Sequence, residues 1–135
     1  MRFAGALVVA LAAALAVTPL TSAQARRGQA ASSQALLDYV EVVGCLTAGA
    51  NDTWSMTNAT TPVAVRRPTS TPEAVKAAEA KALGSERFRV LNIAVFNPTM
   101  HEGHKMVARG LLLKDSPEPR VNLLSLQMVS PTCSR

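Results

Sequence analysis

Apolar and polar residues alternate with a period of two in five separate stretches of this chain. In the first, Val40, Val42, Gly44 and Leu46 fall on one side, with Tyr39, Glu41, Val43 and Cys45 on the other, as in a half-buried strand. Thr53 to Thr57 alternates again, setting Trp54 and Met56 against Thr53, Ser55 and Thr57, and Ala48 to Asp52 supplies a turn with Gly49 and Asn51. The pair reads as a hairpin. A third strand over 87–93 opposes Phe88 and Val90 to Arg87 and Arg89. The fourth, over 105–114, puts Met106, Ala108, Gly110 and Leu112 on one face. The fifth, over 120–129, sets Leu124, Leu126 and Met128 on one face and Ser125 and Gln127 on the other.

The connections are unequal in length. Residues 59–85 form an insertion that opens with a Pro-, Thr- and Arg-rich loop. Within it Thr71, Pro72 and Glu73 read as an N-cap, a first-turn proline and an early acid. They predict a short helix over Ala74–Leu83 with Gly84 as its C-cap and a thin apolar stripe of Val75, Ala78, Ala82 and Leu83. Asn97-Pro98 to Gly103 is a brief connection with one helical turn, and Asp115 to Pro119, with two prolines, must turn. Five short strands joined in this way predict a small β-barrel in preference to a β-sandwich. Glycines 44 and 110 inside strands suit the sharp bends that closure needs.

Ahead of this pattern stands a leader. Arg2 precedes an apolar run from Phe3 to Val17, Pro19 breaks it, and Ala23-Gln24-Ala25 presents small residues at cleavage spacing. The run is short against the roughly 20 residues of a membrane span. Residues 1–25 therefore read as a signal peptide cleaved after Ala25, residues 26–37 as a disordered linker, and 38–135 as the folded domain. Export to the periplasm or beyond follows, with no transmembrane anchor left after cleavage. The 48% apolar composition is inflated by the leader. The remaining chain has thirteen Lys and Arg against nine Asp and Glu, scattered without a run.

Cys45 and Cys133 are the only cysteines. In an exported domain an even pair reads as a disulfide, here tying the first strand to the residues after the last. Cys45 lies opposite the Val40–Leu46 face, so the bridge is expected outside the core.

Val43-Gly44-Cys45-Leu46, Trp54 to Ala59, His101-Glu102-Gly103-His104-Lys105-Met106 leading to Gly110, and Val121-Asn122-Leu123 through Cys133 resemble a group of small exported bacterial proteins of uncharacterised function. The resemblance implies an OB-like five-stranded barrel in which a Gly-His-Lys element opens the strand that runs to Gly110. It carries over no catalytic residue. Measured against such a barrel, the Thr60–Leu83 segment is an insertion.

Candidate chemistry is sparse. His101 and His104 are the only histidines, flanked by Met100 and Met106, and imidazole with thioether suits copper. A zinc site asks for more ligands than the sequence spaces nearby. No serine sits in a Gly-x-Ser-x-Gly elbow, the cysteines are bridged, and the acids are dispersed, so the reading is non-enzymatic and needs no cofactor. Arg87, Arg89, Lys105 and Arg109 project outward from the third and fourth strands as a candidate basic face for polyanions. Beyond residue 25 the only aromatics are Tyr39, Trp54, Phe88 and Phe96, and Trp54 and Phe88 point inward, which disfavours single-stranded nucleic acid. The expectation is a monomeric binding or envelope-associated module for a protein or saccharide partner. Copper or zinc handling by His101 and His104, and polyanion binding by the basic face, are the alternatives.

Overall fold

Positive backbone φ at Asn51 (55°) and Asp52 (53°) turns the chain between its first two strands, a conformation that Asn and Asp adopt more readily than other side-chain-bearing residues. The structure, a computed structural model, describes residues 39–134. The leader, its cleavage after Ala25 and the linker over 26–37 lie outside them. The elements are β1 (Tyr39–Ala48), β2 (Trp54–Ala59), β3 (Val63–Ala64), α1 (Pro72–Glu79), β4 (Glu86–Leu91), two 3-10 turns (Ile93–Phe96 and Pro98–His101), β5 (Lys105–Leu113) and β6 (Arg120–Ser130).

All six strands belong to one sheet in the order β2-β4-β6-β5-β1-β3, and β1 also pairs with β2. Hydrogen bonds thus run in a ring through β1, β2, β4, β6 and β5. Only the β4–β6 contact is parallel; the others are antiparallel. β3, read from sequence as loop, pairs with the first half of β1 at Val40 and Glu41, whereas β2 takes the second half, Cys45 to Ala48.

The ring encloses Val42, Leu46, Trp54, Met56, Phe88, Val90, Met106, Ala108, Val121, Leu123 and Leu126. Each large member contributes on the order of 1.5–3 kcal/mol by leaving water. Ile93 and Phe96, from the 3-10 turn that follows β4, pack against this core. A second, smaller cluster lies outside the ring, where Val43 of β1 and Val107 of β5 are covered by Ala78 of α1, with Val75 and Val129 beside them. β1 therefore has apolar neighbours on both faces, which is why its residues from Val40 to Leu46 are all buried.

Two expectations are corrected. Leu124 does not share a face with Leu126. The β5–β6 ladder pairs Arg109 with Ser125 but Gly110 with Leu123, so Leu124 is an extra, bulged residue, 42% exposed. Past the bulge the alternation changes phase, and Leu123 and Leu126 both point inward. Gly110 makes the close approach possible: a Cβ there would collide with the Asn122 carbonyl oxygen. The helix is also shorter than the sequence suggests. Thr71 does cap it, its Oγ1 accepting from the Ala74 N–H at 3.2 Å with Pro72 in the first turn, but the C-cap is Ala80. Gly84 instead donates its N–H to the Asn58 carbonyl at the end of β2.

Candidate functional site

Register across the ring sets out a row of polar side chains on its outer surface. Thr47 of β1 stands opposite Ser55 of β2, Ser55 opposite Arg89 of β4, and Arg89 opposite Arg120 of β6. Trp54, Met56, Phe88, Val90 and Val121, their neighbours in sequence, point into the core, so the row faces out. Arg87, one pleat further along β4, joins it. Its Nη2 reaches the Ser55 Oγ at 3.4 Å and its Nε the Glu118 carboxylate at 3.3 Å, in a pair 63% and 46% exposed. Thr47 and Thr57 share a hydroxyl–hydroxyl hydrogen bond of 2.9 Å at the row's far end.

Arg120 was not named from sequence as part of a basic face. It enters because β6 runs parallel to β4, a pairing with no local signature in either strand. Its Nη2 donates to Asp115 at 2.9 Å, in the loop before β6, and holds the Asp115 carboxyl below its ordinary pKa. The shielded Nε–H of Arg120 has no acceptor among the described residues. Arg87, Arg89 and Thr47 are exposed along the row, Arg120 is partly so, and Ser55 is buried, its hydroxyl bonded to Arg87.

Lys105 and Arg109 are elsewhere. Both project out of the ring as expected, but the insertion folds over that side and both are buried. Arg109 grips Glu41 through Nε (2.9 Å) and Nη2 (2.7 Å), and its Nη1 donates to the Thr69 carbonyl at 2.7 Å. Lys81 donates to the other Glu41 oxygen at 2.7 Å. Lys105 Nζ donates to the carbonyls of Glu79 (3.0 Å) and Lys81 (2.8 Å), satisfying groups that the end of α1 leaves free. Burial pushes the Glu41 carboxyl up, but its bonds to Lys81 and Arg109 and their charges outweigh that, and its pKa falls below the ordinary 4.5. These groups clamp the insertion onto β1 and β5. Of the four basic residues read as one face, Arg87 and Arg89 remain in solvent.

His101 and His104 flank a tight turn. The His104 N–H donates to the His101 carbonyl at 3.1 Å, and Gly103 has φ +76°. The rings meet edge to face with centroids 5.6 Å apart. Among the described residues, no group of three or more His, Cys, Asp or Glu comes together as a metal site. Met106, one of the two flanking thioethers, is buried in the core. Cys45 and Cys133 form a disulfide with Cα atoms 5.6 Å apart, and neither belongs to the ring's core cluster. Such a bridge fits an oxidising compartment. No helix among the described residues is long and apolar enough to cross a membrane.

Among the described residues the class these observations define is mainly β: one sheet with a ring of hydrogen bonds through five of its strands, one α-helix and a disulfide. No family model matches the chain, and neither a curated protein nor a solved structure was found similar to it.

Proposed function

We propose that this chain is an exported, non-catalytic OB-like β-barrel that binds an anionic, hydroxyl-bearing polymer on the outer face of β2 and β4. The ring order supports the barrel reading. Taking β1, β2, β4, β5 and β6 as its five strands, the second and third stand side by side, and the third and fifth meet in parallel. In OB barrels the face of the second and third strands, with the loop between the fourth and fifth, takes oligosaccharides and oligonucleotides. Here that loop is 114–119, joined to the face by the Arg87–Glu118 pair.

The observation that carries the ligand class is the parallel β4–β6 register, which sets Arg89 beside Arg120 in line with Ser55 and Thr47. Guanidinium groups match carboxylate, sulfate and phosphate oxygens in bidentate fashion, and hydroxyls add adaptable hydrogen bonds. Half-exposed pairs such as Arg87–Glu118 are worth little in water and yield to a stronger anion. The row carries no aromatic platform, so an acidic saccharide suits it better than single-stranded nucleic acid.

Salt elution from immobilised heparin tests the reading. Wild-type protein should elute at higher salt than an R87S/R89S variant, and an R120Q variant should fall between them. An R66S/K76S control removes two exposed charges outside the row and should elute like wild type. Equal elution of R87S/R89S and the control would sink the proposal.

A further inference from the structure

We propose that the turn carrying His101 and His104 binds a single Cu(I) ion through the two imidazoles, a site independent of the β2–β4 face. Three observations meet there. The turn is held rigidly: Gly103 donates its N–H to the Leu46 carbonyl at 2.8 Å, and the Leu46 N–H returns to the His104 carbonyl at 3.1 Å. Gly103, at φ +76°, takes the conformation that lets the residues on either side fold back toward one another. The two rings therefore sit 5.6 Å apart on a backbone anchored to β1, not on a free loop. Lastly, the Nδ1 atoms of both histidines are shielded from solvent and have no hydrogen-bond partner among the described residues.

A shielded nitrogen without a partner costs about 1–3 kcal/mol, and a native structure usually answers it with a water or an ion. One orphan nitrogen is an accident of packing. Two on neighbouring rings of a pinned turn make a donor pair. A neutral imidazole that carries its proton on Nε2 presents Nδ1 as a lone pair, the donor a metal ion needs.

The choice of ion follows from what is missing around the pair. Zinc closes its site with four ligands, or three and a water, and among the described residues no third His, Cys, Asp or Glu gathers here, Glu102 included. Cu(I) is soft, accepts low coordination numbers and favours imidazole and thioether. The exposed Met100 offers a thioether next to His101 in the chain.

Anaerobic titration of the wild-type protein with Cu(I), against a chromophoric Cu(I) chelator, should withdraw about one ion per chain. The double variant H101Q/H104Q should compete less well by about 100-fold or more, two ligands lost at roughly 1.4 kcal/mol per tenfold. Because Cu(I) is diamagnetic, the same addition can be followed in wild type by nuclear magnetic resonance, where both imidazole signals should shift together and saturate at one equivalent. That measurement needs no variant to fold. Failure to compete for Cu(I), a ring signal that stays in place, a double variant that competes like wild type, or tighter retention of Zn(II) than of Cu(I) would each overturn the proposal. Heparin elution of the copper-loaded protein should be unchanged, which keeps this test separate from that of the β2–β4 face.

Discussion

Glu41 is the residue on which the insertion depends. Its carboxylate is bonded to Arg109 and Lys81 at once, and removing its charge leaves the buried Arg109 guanidinium without a counter-charge. An E41Q variant should lose about 3–5 kcal/mol, the usual cost of breaking a buried pair from one side. Because the folded-state pKa of Glu41 lies below its ordinary 4.5, its ionic contribution is complete above that value and is lost as the pH falls through the folded one. Urea denaturation followed by Trp54 fluorescence, from about pH 7 to about pH 3, should show wild type losing stability on acidification. E41Q should start lower and fall less steeply; parallel curves would mean that the clamp does not act through the Glu41 charge. The alternation in β1 correctly sets Glu41 on the outer side of the strand, but nothing near it names Arg109, 68 residues away. For the same reason Lys105 and Arg109 read as surface charges: the strand pattern tells inner from outer and is silent about what covers the outer side.

Strand and helix positions were legible in proportion to how local their causes are. The Thr71–Pro72 start of α1 and the β1–β2 hairpin are written in a few adjacent residues and stand as read. The end of α1 is not. Lys81 turns to Glu41, and Lys105 takes the carbonyls of Glu79 and Lys81, so partners on other strands stop the helix before the Ala-rich segment ends. The β6 bulge is a similar case, since one extra residue inverts the alternation and the cause lies across the ladder in Gly110. A G110A variant should be destabilised by about 1–3 kcal/mol or more, because its Cβ would press into the Asn122 carbonyl and the strands must part. Thermal melting of the variant checks this. Stability equal to wild type would mean that the bulge tolerates a side chain.

Closure of the whole molecule rests on the ring and on the Cys45–Cys133 bridge, which ties β1 to the residues after β6 from outside the core. The bridge spans 88 residues, and in the chain-entropy view a loop of that size is worth about 4–5 kcal/mol. Because every ring strand is already paired on both sides and the core is independent of the bridge, reduction should lower the melting temperature and leave the far-ultraviolet circular dichroism of the folded protein unchanged. A change of spectrum on reduction at low temperature would show instead that the bridge holds the ring shut.

Read alone, the chain establishes its five main strands, its helix start, the inward place of Trp54, Met56, Phe88 and Val90, and the pairing of its two cysteines. Each of these follows from short-range periodicity, from turn chemistry or from there being no other thiol to choose. Which side of the ring the insertion covers, where β6 changes phase, and which arginines share a surface were settled by contacts between residues far apart in sequence. Arg89 and Arg120 are neighbours only because two strands run parallel, and the parallel ladder is a property of the assembled sheet that neither strand encodes by itself.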